Sequence, residues 1–230
     1  MPLALRLEDV SFSYGHGPPV LCEVDLAVDR GEFVAIAGPN GGGKTTLLKL
    51  VLALERPTSG RVEVFTSRRG YLAQRAQTAI DAPLTVRELV TAGRAPRTRL
   101  LGPLARGDRE AVRVAIARVG LEWQADRRLS TLSGGQQQRA FIAKALAAEP
   151  EILALDEPTT GVDVDAQEAI AGLLQEVQEE LAMTILYVSH EFGAVEGFVE
   201  RIVLVRGGIV YDGPPSRLPE LWHDPSHVHA

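Results

Sequence analysis

The sequence predicts an α/β fold with a mainly parallel core sheet, an antiparallel β subdomain and an α-helical subdomain. Three observations predict it. Short, almost wholly apolar runs such as FVAIA at 33–37 and ILAL at 152–155 read as strands buried on both faces. Such runs alternate with helical patterns along the chain, as βα units do. Between about residues 81 and 148 the pattern becomes helical throughout, which marks an insert.

Taken in order, Leu3, Leu5 and Leu7, then Val24, Leu26 and Val28, recur with the period of half-buried strands. After FVAIA and a glycine-rich loop, KTTLLKLVLAL reads as a helix. PTSG at 57–60 marks a turn before the strand RVEVF, and GYLAQ at 70–74 reads as a strand ending in a polar residue. The insert holds three helical stretches, LTVRELVTAG, DREAVRVAIARVGL and GQQQRAFIAKALAAE. A Gly/Pro/Arg segment at 93–107 joins the first two. Ser133 is placed to cap the third helix, with Gln136 in capping-box position. ILALDEP then reads as a strand ending in two carboxylates. Asp165 is expected to start the next helix, with Glu168 as its capping-box partner. MTILYVSH, RIVLV and GIVYDG read as strands, and the tail WHDPSHVHA shows no periodicity.

At 230 residues with 45% hydrophobic content, the chain can bury a sizeable core in one globular unit. A net charge of −6 excludes a basic field that would hold nucleic acid by its phosphates. Arg94, Arg97 and Arg99 read as a local, solvated patch. Cys22 is the single cysteine, which excludes an internal disulfide, suits a reducing compartment and suggests a small hydrophobe packed in a strand. No window approaches the roughly 18–20 apolar residues needed to span a bilayer, and the N-terminus lacks a signal-peptide layout. A soluble, unsecreted chain is expected, with any membrane role exercised through a partner.

The chemistry concentrates in a few stretches. GPNGGGKTT fits G-x-x-x-x-G-K-[ST] through Gly38, Gly43, Lys44 and Thr45, between a strand and a helix as the motif requires. Backbone N–H groups from Asn40 to Thr46 would cradle phosphates at a helix N-terminus, and Gly41, Gly42 and Gly43 would let the backbone come close. Lys44 would neutralise charge toward the β- and γ-phosphates, and Thr45 would offer a hydroxyl to Mg²⁺. Asp156 is placed to hold the Mg²⁺ shell, and Glu157 to take a proton from an attacking water. LSGGQQQR at 132–139 is a second anion-facing helix start, formed by Ser133, Gly134, Gly135 and Gln136, although one nucleotide does not need two cradles. Tyr14, Gln74, Asp163 and His190 mean little singly. Each is an ordinary strand aromatic, strand-end amide, loop cap or turn histidine.

Their joint order resembles the ATP-binding subunits of ABC transporters, from about residue 3 to residue 218. The resemblance implies a P-loop ATPase of ABC type that hydrolyses ATP with Mg²⁺. Gly38, Pro39, Asn40, Gly41, Gly42, Gly43, Lys44, Thr45 and Thr46 would then form the phosphate loop, with Tyr14 stacked on adenine. Gln74 would join Mg²⁺ and the attacking water to the transport partner's interface, and His190 would contact the γ-phosphate. Asp163 would lie in a loop that crosses between subunits. Two copies would dimerise head to tail, so that Ser133, Gly134, Gly135 and Gln136 close over a nucleotide held by the other copy. The implied division is a catalytic core with its β subdomain (1–80 and 149–218), a helical subdomain carrying the signature motif (81–148) and a His-bearing tail (219–230).

With one nucleotide-binding unit and no spanning segment, the chain resembles the detached ATPase of a prokaryotic importer at the cytoplasmic face of the membrane. A separate permease would contact the segment from Ala79 to Arg94, and an extracytoplasmic metal-binding protein would be an indirect partner. PLTVRELVTAGR, ADRRLSTLSGGQQQR, EPTTGVD and YVSHEFGAV resemble the zinc and manganese uptake branch. His223, His227 and His229 could bind Zn²⁺, or be chance histidines of a disordered end. Manganese or iron/chelate import remains open, as does a soluble ABC ATPase of translation or DNA repair. Those translation proteins usually carry two such units in one chain and the repair proteins a long coiled coil, and neither pattern occurs in this sequence.

Overall fold

Alternation in the first two strands changes phase partway along each, and the structure shows how that is accommodated. The computed structural model describes residues 2–73, 83–95, 104–189, 193 and 195–218. β1 (Leu3–Ser13) and β2 (Pro19–Asp29) pair antiparallel. β1 buries Leu5 and Leu7, then Val10 and Phe12, and β2 buries Leu21, then Val24, Leu26 and Val28. Moving from odd to even positions would turn half of each strand inside out unless one residue bulges. Asp9 and Glu23 supply the bulges, with φ of 49° and 48° and register shifts on either side. Cys22, beside the Glu23 bulge, is therefore exposed and not packed inward as expected from sequence.

β3 (Phe33–Ala37) leaves this sheet, and the loop after it feeds α1 (Lys44–Val51). The helix stops there, short of the expected LAL extension: Leu52 caps it and Ala53 takes a φ of 55°. β4 (Ser59–Val64) returns to the other side of β1, completing an antiparallel sheet in the order β2-β1-β4.

The second sheet adds β5 (Arg69–Leu72), β6 (Ile152–Asp156), β7 (Thr184–Val188), β8 (Arg201–Val205) and β9 (Ile209–Gly213). Its order is β5-β6-β7-β3-β8-β9. The first five strands run parallel and β9 is antiparallel. β3, β6 and β7 are buried along their whole length. Their side chains feed two cores on opposite faces. Val34, Ile36, Ala154 and Leu186 meet α1 and the antiparallel sheet. Phe33, Ala35, Leu153 and Tyr187 meet the remaining helices.

Those helices are α2 (Val86–Ala92), α3 (Arg106–Arg118), α4 (Gly134–Ala147) and α5 (Val164–Leu181). The first two pack on each other and on α4, and α4 also reaches α5 and β5. Arg94 holds this group together, and it is buried, not solvated as expected. Its guanidinium donates to Asp108 Oδ1 at 2.7 and 2.9 Å, to the Ala147 carbonyl at 2.8 Å and to Glu149 at 2.9 Å. The end of α2, the start of α3 and the end of α4 thus meet at one cation. Arg97 and Arg99 lie outside the described residues.

α5 begins two residues earlier than expected. Asp163, not Asp165, is its N-cap and accepts from the Ala166 N–H at 2.9 Å. Asp165 falls in the first turn, where its charge suits the helix dipole. α4 carries the expected Ser133/Gln136 capping box. α2 carries an unanticipated one, Thr85 with Glu88, although T-x-x-E signals it in the sequence. Among the described residues no helix is long and apolar enough to cross a membrane.

Candidate nucleotide site

Residues 38–43 link the central strand β3 to α1, and two of their glycines have no substitute. A Cβ on Gly38 would lie 2.1 Å from the Val205 carbonyl oxygen on β8. Gly43, the α1 N-cap, has a φ of 102°, and a Cβ there would meet Leu21 Cδ2 at 2.6 Å. No side chain caps α1 and no acidic residue stands in its first turn. Its positive end is therefore open to an external anion. The buried Lys44 folds back beneath the loop, its ammonium donating to the Gly38 and Pro39 carbonyls at 2.8 and 3.0 Å. Burial pulls the Lys44 pKa down, and Glu157 and Asp156 oppose the shift.

The second half of the site comes from β6. Asp156, its last residue, is buried, and both carboxylate oxygens accept a hydroxyl. Thr45 donates to Oδ1 at 3.0 Å and Tyr71 to Oδ2 at 3.3 Å. Burial pushes the Asp156 carboxyl up, while the hydrogen bonds from Thr45 and Tyr71 and the charge of Lys44 hold it back. Glu157 follows in a left-handed conformation, φ 49°, with its N–H donating to the Val188 carbonyl on β7 at 3.0 Å. The strand ladder therefore ends at Asp156 and the backbone turns sharply at Glu157. The Thr160 hydroxyl donates to Glu157 Oε2 at 3.3 Å.

Glu157 faces the phosphate loop across a cleft of about 400 Å³, lined also by Tyr14, Val20 and residues 40–46. Tyr14 stands at its rim. The ring is held edge-on by Phe12, with centroids 4.8 Å apart, and the hydroxyl lies 3.3 Å from Thr46 Oγ1. Lys49 Nζ sits 5.7 Å from the ring centroid. The Tyr14 ring is otherwise half-exposed.

Ser133, Gly134, Gly135 and Gln136 do not line this cleft. They open α4 beside the start of α5, where a Cβ on Gly135 would meet Ala166 at 3.2 Å, and Ser133 and Asp163 are both exposed. Gln136 Oε1 accepts from the Ser133 N–H at 3.1 Å, and Ser133 Oγ accepts from the Gln136 N–H at 3.3 Å. Gln137 supports the approach to the motif by donating to the Leu129 and Leu132 carbonyls. Gln74, His190, His223, His227 and His229 lie outside the described residues. Val20 and Tyr71 were not singled out in sequence, where each reads as a strand residue. Only the fold brings them to the site.

The sequence profile of the ABC transporter family matches residues 21–160. The zinc uptake system ATP-binding protein ZurA of Listeria innocua is 36% identical over 219 residues, covering 91% of this chain and 85% of its own. The manganese transport system ATP-binding protein MntB of Bacillus subtilis is 36% identical over 217 residues, covering 91% and 86%. Among solved structures, the ATP-binding cassette MJ0796, a dimer in a post-hydrolysis state with ADP and Pi, superposes with a TM-score of 0.75 at 29% identity, covering 92% of this chain and 98% of that one. With the phosphate loop, the carboxylate strand and the signature helix all inside the matched span, the chain belongs to the ABC transporter family, as an ATP-binding subunit that hydrolyses ATP.

Proposed function

We propose that this subunit powers the import of a metal ion, zinc foremost, through a separate membrane permease, working as an ATP-bridged dimer at the cytoplasmic face of the membrane. The observation that carries the dimeric part is the separation just described. Ser133 and Gly134 of the signature segment are exposed, Gly135 is partly so, and all three stand apart from the cleft that holds Glu157 and the phosphate loop. A dimeric relative with ADP and Pi supports a nucleotide shared between copies. Zinc and manganese systems among the relatives support a metal cargo.

In this reading the N–H groups of residues 40–46, the open N-terminus of α1 and Lys44 bind the phosphates. Tyr14 stacks on the adenine. The Thr45 hydroxyl and the Asp156 carboxylate are hard oxygen donors 3.0 Å apart, a set that fits Mg²⁺. Gln74 would join them. Mg²⁺ so held would offset charge on the β- and γ-phosphate oxygens. Glu157 accepts the proton of the water that attacks the γ-phosphorus as the bond to the ADP oxygen breaks, leaving ADP, phosphate and a protonated carboxyl. His190 contacts the γ-phosphate. Ser133, Gly134, Gly135 and Gln136 close over the same phosphate from the second copy, with Asp163 in the crossing loop. ATP binding thereby closes the dimer and hydrolysis reopens it.

The helical insert, residues 81–148, is the subdomain we assign to the permease, through the segment from Ala79 to Arg94. The core would comprise 1–80 and 149–218, and the tail 219–230 would carry a Zn²⁺-binding function through His223, His227 and His229. An extracytoplasmic metal-binding protein would deliver the cargo. Elemental analysis of metal-limited cells carrying either the native chain or Glu157→Gln tests the assignment. A selective fall in zinc is expected. A fall in manganese alone would move the cargo to the second reading, favoured by the MntB relative. No change in zinc, manganese or iron would sink metal import and leave only the ATPase.

A further inference from the structure

We propose that Tyr71 is a positioning residue for the Asp156 carboxylate, so that β5 sets the orientation of the group that receives the Mg²⁺ of ATP. The inference rests on the reading of Asp156 as a Mg²⁺ ligand, and it begins with strand register. β5 and β6 are parallel, and Tyr71 lies opposite Ala154. Side chains on one face of a sheet recur every second residue, so Ala154 and Asp156 share a face, the one covered by α1. Tyr71 packs against that same core. Asp156 lies two residues beyond Ala154, roughly 6.6 Å further along the strand. Tyrosine is the hydroxyl-bearing side chain long enough to bridge such a gap, and the single methyl of Ala154 leaves the ring room to lie along the sheet.

The consequence concerns rotation. The terminal torsion of an aspartate is broad and nearly two-fold, so one donor on one oxygen leaves the carboxylate plane loosely set. Here Thr45, on α1, donates to Oδ1 at 3.0 Å, and Tyr71, on β5, donates to Oδ2 at 3.3 Å. Two hydroxyls from different elements fix the plane. β5 is itself anchored to α1, because Arg69 donates to the Val51 carbonyl at 3.1 Å, at the C-terminal end where a cation is favoured. The helix that presents Thr45 at its start is thus tied at its end to the strand that presents Tyr71.

Tyr71→Phe removes the hydroxyl and keeps the ring. Binding of a fluorescent ATP analogue to the full chain is titrated in EDTA and against Mg²⁺, with Asp156→Asn alongside. For Tyr71→Phe we expect unchanged affinity in EDTA and about a tenfold higher Mg²⁺ requirement for tight binding, the loss of one hydrogen bond to a charged group. Saturating Mg²⁺ should restore kcat. A Mg²⁺ titration identical to that of the native chain would overturn the proposal. So would an equal loss of affinity with and without metal, which would make Tyr71 a packing residue. If Asp156→Asn keeps the native Mg²⁺ dependence, the ligand role of Asp156 fails, and the test separates that failure from that of Tyr71.

Discussion

The Thr45 hydroxyl and the Asp156 carboxylate meet at 3.0 Å although 111 residues separate them in the chain. Their meeting joins the first turn of α1 to the end of β6, and it sets Glu157, the next residue, across the cleft from the phosphate loop. Chemistry drawn from two remote stretches is thereby confined to one mouth of the parallel sheet, at the carboxyl ends of its strands, as open α/β sheets generally bind their ligands.

Glu157→Gln tests the base. The left-handed turn at Glu157 and its N–H bond to Val188 involve only backbone, so glutamine keeps the geometry and loses the proton acceptor. Phosphate release should fall by about 10²-fold or more, the usual worth of a positioned base. ATP binding should persist, and the dimer should accumulate by light scattering. Turnover comparable to the native rate would remove Glu157 from that role.

The phosphate loop, the signature helix and the carboxylate strand were legible in sequence because each is a local pattern whose chemistry needs neighbouring residues. Most strands were legible for the same reason, through period and length. Features set by distant partners were not. Arg94 reads as one of several surface arginines until Asp108 and Glu149 arrive from other segments. Two carboxylates near one helix start, Asp163 and Asp165, compete for the cap, and the turn after β6 selects the first. The bulges at Asp9 and Glu23 were implied by the phase change in the buried positions, but a simple alternation reading passes over them.

Arg94→Ala should destabilise the chain by about 2 kcal/mol, because it leaves the partly buried Asp108 without its partner. Arg94→Lys should recover only part of this, since one ammonium cannot reproduce the fork that spans Asp108, Ala147 and Glu149. Equilibrium denaturation in urea measures both. A change within about 0.5 kcal/mol, typical of a surface site, would show that Arg94 behaves as a solvated side chain.

Ser133→Ala separates the two phosphate-facing motifs. Loss of the cap should cost α4 about 1 kcal/mol. The single chain should still bind ATP with native affinity, because Ser133 lies outside the cleft lining. ATP-driven dimerisation and hydrolysis should both weaken. Equal losses in monomer binding and dimerisation would contradict a role in trans.

Stability should also fall in acid, in a direction fixed by which carboxylates are engaged. Glu88 is held below its ordinary range by the Thr85 backbone N–H and hydroxyl, and Asp126 by Arg87. Glu110 is held down by Arg113, Glu180 by Arg118, and Glu151 by Thr66 and then Arg68. A carboxylate whose folded pKa is depressed binds protons more readily in the unfolded chain. Its contribution is therefore complete above the unfolded pKa, roughly 4, and is lost as pH falls through the folded value. Glu88, Glu110, Asp126 and Glu180 are exposed and Glu151 is partly so, so each effect is small and screened by salt. Their sum should leave the melting temperature level between about pH 6 and 8 and lower it progressively below about pH 4. Thr85→Ala should flatten part of that decline by freeing Glu88. Calorimetry across this range at low and high salt distinguishes the expected behaviour from a fall that begins near neutrality, which these carboxylates could not produce.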